Sequence, residues 1–260
     1  MYDVISADSA RPEATLLKVD GLRVAYGKAE VVHDVSLEVR AGEFTALLGR
    51  NGAGKSTILQ ALSALIPKVA GTVEFAGRDI TNASAAAVVR SGLVQVLEGH
   101  RVFTTLTVAD NLLVGTYAYA RRGDPKALER IYALFPELAE RRHQLASRLS
   151  GGQQQILAVA QGAIGRPRLL ILDEPSAGLA PLVTDRILNI AAELCAQGLA
   201  ILLVEQLAEK ALQRADWCYV IDTGRVGSAG PADRMRDDEL LRRIYLGSND
   251  NARPSSRSFE

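Results

Sequence analysis

Cysteine is scarce in this chain: Cys195 and Cys218 are its only two among 260 residues. Two thiols cannot build a disulfide framework or a four-ligand zinc site with histidine, so both read as small core residues of a cytosolic protein. Net charge is missing too, because 30 Lys and Arg balance 30 Asp and Glu. A chain that lives by binding nucleic acid is as a rule clearly basic, so no such partner is expected. Long apolar runs are also absent. The stretch 199–204 is far short of the roughly 18 residues that indicate a membrane span. The opening MYDVISADSARPEA carries acids and no apolar run, so no secretory signal is predicted. What remains is a chain that is 48% hydrophobic, enough to bury a substantial core in one or two domains. It reads as soluble when isolated, and any membrane role has to come through a partner.

Both ends are polar and aperiodic, so residues 1–14 and 249–260 are expected to be flexible tails around a domain spanning 15–248. Within that domain, Leu16 to Tyr26 and Val31 to Arg40 are rich in β-formers, and Val35, Leu37 and Val39 alternate with polar residues. Phe44 to Leu48 is a short apolar strand, Ser56 to Ile66 has helical spacing and Pro67 stops it. Residues 71–80 suggest a hairpin and Gly92 to Leu97 another strand. The stretch of about 106–150 reads as helices only, one of them starting at Asp124-Pro125. After Ser150, helices alternate with strands at 169–172, 199–204 and 217–221, the pattern of a parallel α/β sheet. Trp217 and Cys218 lie in the last of these strands and read as core.

Residues 49–57 read GRNGAGKST. Gly49, Gly54, Lys55 and Ser56 occupy the fixed positions of a phosphate-binding loop, with Asn51, Gly52 and Ala53 inside it and Thr57 following. Its glycines let backbone N–H groups turn onto an anion, and the next helix aims its positive end at the same place. Lys55 is expected to reach the β- and γ-phosphates of ATP, and Ser56 to ligate Mg²⁺. Leu169 to Leu172 is an apolar run that ends in Asp173 and Glu174. Parallel strands present ligands at their C-terminal ends, so Asp173 is read as a Mg²⁺ holder and Glu174 as the general base on water.

Leu149-Ser150-Gly151-Gly152-Gln153 separates the families that share those two motifs. Ser150 and Gln153 fit a capping box, and the two glycines leave N–H groups open for a second phosphate. Here the chain resembles the ATP-binding cassette (ABC) family, whose signature LSGGQ stands unaltered. The resemblance implies a P-loop α/β core, an N-terminal antiparallel β-subdomain and an inserted helical subdomain. It also implies a head-to-tail dimer in which Ser150, Gly151, Gly152 and Gln153 close over the nucleotide of the other subunit. Tyr26 matches the aromatic that stacks on adenine. The loop Ser176-Ala177-Gly178-Leu179-Ala180 matches the segment after the acids, with Ala180 in place of its usual Asp.

Two further positions depart from the family pattern. Glu98 stands where a Mg²⁺-sensing glutamine is usual; Gln95 is the nearest glutamine, but its spacing is wrong. Gln206 stands where a switch histidine is usual. A carboxylate at Glu98 can still ligate Mg²⁺, and the Gln206 amide can donate to the γ-phosphate without carrying a charge. ATPase activity at a modest rate is therefore expected of the isolated subunit.

The blocks 98–103, 175–181 and 203–206, with Tyr245-Leu246-Gly247, resemble the ATPase subunits of branched-chain amino acid importers. That resemblance implies a second related ATPase as partner, or a homodimer in isolation. It also implies two membrane permease subunits, an extracytoplasmic substrate-binding protein acting indirectly, and a place on the cytoplasmic face of the membrane. Importers of urea, amides and aromatic acids share the pattern. A soluble ABC ATPase of translation or repair usually has two cassettes or a long coiled-coil insert, for which this chain has no room. A GTPase would carry Asn-Lys-x-Asp, which is absent. A regulator without turnover stays open because of Glu98 and Gln206. Arg141, Arg142, His143 and Arg148 read as a solvated face or as a contact for the membrane partner.

Overall fold

In the computed structural model, which describes residues 3–4, 14–117, 125–237 and 241, two sheets share the molecule. The chain runs from β1 (Asp3–Val4) into β2 (Thr15–Tyr26) and β3 (Ala29–Arg40), then β4 (Phe44–Gly49) and α1 (Lys55–Leu62). A hairpin of β5 (Ala70–Phe75) and β6 (Arg78–Asp79) precedes α2 (Ala85–Ser91) and β7 (Leu93–Val96). The helical stretch holds α3 (Val108–Gly115), α4 (Pro125–Leu134), α5 (Pro136–Ala139) and a 3₁₀ turn at Ala146–Arg148. Then come α6 (Gly151–Ala163), β8 (Leu169–Asp173), α7 (Pro181–Ala196), β9 (Ala200–Glu205) and α8 (Ala208–Leu212). β10 (Trp217–Asp222), β11 (Arg225–Pro231) and α9 (Ala232–Met235) complete the sequence of named elements.

The antiparallel sheet has the order β3-β2-β5-β6, and the larger sheet the order β1-β11-β10-β4-β9-β8-β7. Strands β10, β4, β9, β8 and β7 run parallel to one another, and β11 pairs with β10 antiparallel. This is the P-loop α/β fold that the alternation after Ser150 predicts.

The central strands are buried on both faces, which is why they read as unbroken apolar runs. Their alternate residues enter two cores. Phe44, Ala46, Leu170, Leu172, Ile201, Leu203, Cys218 and Val220 pack towards the helices. Leu47, Leu169, Ile171, Leu202, Val204, Trp217, Tyr219 and Ile221 face α1 and the antiparallel sheet. Trp217 and Cys218, read together as core, therefore enter opposite cores. Each fully buried Leu or Ile stabilises the fold by about 1.5–3 kcal/mol, so the frame behind the site is stiff.

The structure departs from the sequence reading in three respects. The first helix ends at Leu62, before Pro67. Ala64 takes φ 55, Ala64 N donates to Ala61 O and Leu65 N donates to Gln60 O. These bonds form a left-handed helix stop that satisfies the last carbonyls without any proline. Asp3–Val4 pairs in parallel with Ser228–Ala229, so part of the expected N-terminal tail is an edge strand. An exposed sheet edge offers unpaired backbone groups to any extended segment that reaches it. Finally, α2, β11 and α9 form where no element was read. α2 is held by Ser84, whose hydroxyl accepts from Ala87 N, and by Gly92 in the left-handed region at its end. Asp124, Tyr245-Leu246-Gly247 and 249–260 lie outside the described residues.

Candidate active site

Parallel pairing brings the C-terminal ends of three strands side by side. Leu48 of β4 is opposite Glu205 of β9, and Val204 of β9 is opposite Asp173 of β8. The phosphate loop thus leaves the sheet two strands from the acids.

The loop's glycines have steric reasons. Gly49 lies so close to β10 that a Cβ there would run into the Ile221 carbonyl. Gly54 has φ 101 and caps α1 in the left-handed region, packed against Val31. Ala53 is buried behind the loop and donates to Arg50 O. Lys55 is only 3% exposed, and Nζ donates to Gly49 O at 2.9 Å and to Arg50 O at 3.1 Å. It also sits 3.4 Å from Glu174 Oε1. A buried ammonium is tolerable only when its donors are satisfied, and here the loop and the acid share that task.

Ser56 Oγ donates to Asp173 Oδ1 at 3.1 Å. Asp173 is buried, and burial above all pushes its carboxyl up to about 6, with Glu174 and Glu98 adding repulsion against the Ser56 hydrogen bond and the Lys55 charge. A hydroxyl and a carboxylate meeting in a site of excess negative potential is a donor set that fits Mg²⁺. Among the described residues no cluster of three His, Cys, Asp or Glu forms a metal cage.

Glu174 follows directly, with φ 43, a left-handed backbone that costs a non-glycine residue about 1–3 kcal/mol. Its N–H donates to Val204 O at 3.0 Å, and Gln206 Nε2 donates to its Oε2 at 2.5 Å. Glu174 therefore bridges Lys55 and Gln206. A cavity of about 360 Å³ is lined by Val31, Asn51, Gly52, Gly54, Lys55, Ser56, Thr57, Glu98, Glu174 and Gln206. A larger apolar cleft of about 460 Å³ lies between α4 and the turns before β8 and β9. It contains Arg130 and Arg166 but no acid or hydroxyl, so side-chain chemistry rather than size identifies the site.

Some predicted residues stand apart. Tyr26 is 51% exposed and its hydroxyl is 3.4 Å from Gln60 Oε1 of α1, outside the cavity lining. Ser150 to Gln153 do not line the cavity either. They start α6 with a complete capping box: Gln153 N donates to Ser150 Oγ, and Ser150 N donates to Gln153 Oε1. His100 packs on this helix start, with Nδ1 2.9 Å from Gln155 Oε1 of α6 and its ring against Gly151. Of the basic cluster, Arg142, His143 and Arg148 are exposed, while Arg141 donates to Glu137 O and pairs with Glu140.

Two residues carry more than the sequence reading allowed. Gln95, set aside for its spacing, reaches Asp173: Nε2 is 3.5 Å from Oδ2. Its position on β7, opposite Ile171 of β8, brings it there, and only the strand register reveals this. Glu205, which the sequence offers only as part of the block 203–206, is a buried carboxylate that binds Ser176. Burial pushes its carboxyl up, against hydrogen bonds from Ser176 and from the Gln206 and Leu207 N–H groups.

Comparison with known proteins fits this geometry. Residues 32–177 match the profile of the ABC transporter family. The chain is 38% identical over 232 residues to the branched-chain amino acid transport ATP-binding protein BraG of Pseudomonas aeruginosa, covering 89% of this chain and all of that protein. It is 31% identical over 249 residues to the branched-chain amino acid transport ATP-binding protein LivG of Salmonella typhimurium, covering 89% and 98%. The ADP conformation of MJ1267, an ATP-binding cassette of an ABC transporter, superposes with a TM-score of 0.79 at 26% identity, covering 90% of this chain and 99% of that one. No helix among the described residues is long and apolar enough to cross a membrane. A phosphate loop facing two acids, a capped LSGGQ helix held away from them and a match over most of the chain lead to one conclusion: this chain belongs to the ABC transporter family, as an ATP-binding subunit whose ATP hydrolysis drives transport.

Proposed function

We propose that this subunit powers import of branched-chain amino acids. The observation that carries the reading is the 38% identity to BraG across that protein's whole length. In the cell it sits on the cytoplasmic face of the membrane beneath two permease subunits, paired head to tail with a second, related ATPase. A substrate-binding protein outside delivers the cargo and never touches this chain.

Within the site we assign roles from the contacts. The N–H groups of 51–57 and Lys55 hold the phosphates of ATP. Ser56 and Asp173 hold Mg²⁺, with Gln95 behind Asp173 and Glu98 at the mouth of the cavity. When bound, Mg²⁺ supplies charge neutralisation on the phosphate oxygens. Glu174 accepts the proton of the attacking water, and Lys55, 3.4 Å away, pairs with that carboxylate until ATP draws the ammonium towards phosphate. Gln206 exchanges its bond to Glu174 for the γ-phosphate, a switch made by an amide with no change of charge. Ser150 to Gln153 act on the nucleotide of the partner, which explains why they stand outside this chain's own cavity. ATP bound between two subunits favours the closed dimer and hydrolysis releases it, and that difference moves the permeases.

The test is reconstitution. The chain co-expressed with its genomic neighbours is expected to purify with two permeases and a second ATPase, and to drive ATP-dependent uptake of leucine, isoleucine or valine into vesicles. Uptake of urea or an aromatic acid instead, with no branched-chain uptake, would reject the cargo while leaving the ATPase assignment intact.

A further inference from the structure

Strand order puts β9 between β4, which delivers the phosphate loop, and β8, which delivers the acids. The last residue of β9 is Glu205, 1% exposed. An ionised carboxylate buried in this way costs several kcal/mol unless its lone pairs are filled. They are filled from two neighbouring segments. Ser176 N donates to Oε1 at 3.1 Å, Ser176 Oγ donates to Oε2 at 2.8 Å, and Gln206 N donates to Oε2 at 3.2 Å.

These bonds lie among others that join the same two segments. Glu174 N donates to Val204 O, and Gln206 Nε2 donates to Glu174 Oε2. Beyond the Asp173–Val204 strand pairing, three residue pairs thus tie segment 173–176 to segment 204–206, and Ser176–Glu205 is the only one of them made through a buried side chain. Glu174 needs such support, because its left-handed backbone persists only where the surroundings over-determine it. Glu205 itself does not line the phosphate cavity.

We propose that Glu205 is a positioning residue for hydrolysis, whose buried carboxylate clasps Ser176 and so fixes Glu174 and Gln206 at their working separation. The inference rests on the reading of Glu174 as base and Gln206 as the group facing phosphate. A carboxylate is needed because both of its oxygens face backbone N–H groups. In Glu205→Gln, either orientation of the amide sets an NH₂ against Ser176 N–H or Gln206 N–H, with side-chain volume unchanged.

Steady-state turnover of the full chain, paired with fluorescent-ATP binding, tests this. Glu205→Gln is expected to lower kcat about 10–100-fold, the scale on which small misplacements of reacting groups act, with KM and nucleotide affinity within about twofold of wild type. Ser176→Ala, which removes one hydroxyl and keeps the backbone donor, is expected to lower kcat a few-fold and to cost little more when added to Glu205→Gln, because both act on one contact. Glu174→Gln is measured beside them. If Glu174→Gln is inactive while Glu205→Gln and Ser176→Ala turn over like wild type, the positioning role is wrong and the site reading stands. If Glu174→Gln itself turns over like wild type, the reading of the site fails and takes this inference with it. Loss of ATP binding in parallel with kcat would make Glu205 a general structural residue and overturn the proposal. Should Glu205→Gln fail to fold, an unchanged kcat in Ser176→Ala overturns it alone.

Discussion

The two sides of the cavity are built differently. The phosphate side comes from one uninterrupted stretch, residues 49–57, and is shaped by glycine geometry, backbone groups and Lys55, whose two hydrogen bonds go to its own loop and whose one ion pair goes to Glu174. The acid side is assembled from the ends of β7, β8 and β9, and each of its groups is held by another segment: Asp173 by Gln95 and by Ser56 from the phosphate side, Glu174 by Gln206, Ser176 by Glu205. Binding can be encoded locally because a helix start and a glycine turn suffice to hold an anion. Hydrolysis needs several side chains placed to a fraction of an ångström, and only a rigid sheet supplies that. The phosphate side should therefore tolerate damage to the acid side, with affinity surviving while turnover falls.

The sharpest way to break this comparison is Glu174→Gln. Removing a positioned base is expected to cost about 10²–10⁴-fold in kcat while ATP affinity holds or rises, since a negative charge 3.4 Å from Lys55 is gone. Equal loss of affinity and rate, measured by binding and turnover on the same preparation, would show that the two sides are not separable.

The same contrast explains what the sequence discloses. GRNGAGKST, the LLILDE run and LSGGQ are contiguous, so their chemistry is visible without a fold, and the alternation of strands and helices after Ser150 declares the parallel sheet. Gln95 and Glu205 are invisible for the opposite reason. Gln95 faces Asp173 because β7 pairs with β8 in one particular register, and a spacing counted from Leu106 cannot detect a register. Glu205 ends a run of buried aliphatics, where an acid looks like the strand's exit to solvent, and only its partner Ser176, 29 residues away, shows that it stays inside. The early end of α1 was hidden likewise, since an alanine carries no outward sign of a left-handed backbone.

Gln95 and Glu98 sharpen the comparison within the acid side. Gln95→Ala removes a group that contacts Asp173, the carboxylate proposed to hold Mg²⁺, and losses of 10–100-fold in metal affinity or activity are typical of such second contacts. Glu98 is exposed at the cavity mouth, so Glu98→Gln is expected to change turnover less than tenfold. Titrating Mg²⁺ at saturating ATP separates them: Gln95→Ala should need more Mg²⁺ for half-maximal rate than Glu98→Gln. The reverse order would make Glu98 the nearer ligand.

Asp173 allows a test of the acid side by pH. Burial raises its carboxyl to about 6, above the unfolded value of 3.8. A carboxyl raised on folding contributes its stability below the unfolded value and loses it as pH climbs through the folded one. Without nucleotide and with metal chelated, Asp173→Asn should therefore melt higher than wild type at pH 8, by about 2–4 °C for each kcal/mol of relieved charge burial. The gap should shrink as pH falls through 6 and close near 4. A constant gap across that range would mean that the charge is not what the site pays for.

The smallest effect is expected at the base end of the phosphate side. Tyr26 is half exposed, with its hydroxyl only loosely placed at 3.4 Å from Gln60, so an adenine can stack on the ring without displacing a core contact. Aromatic stacking is worth about 0.5–1.5 kcal/mol, which converts to roughly a 2–12-fold weaker ATP affinity in Tyr26→Ala. Tyr26→Phe keeps the ring and should bind as wild type does. Inorganic triphosphate, which has no base to stack, should compete equally well against all three proteins. If Tyr26→Ala weakens triphosphate as much as ATP, the side chain supports the loop through α1 rather than the base, and adenine recognition belongs to another residue.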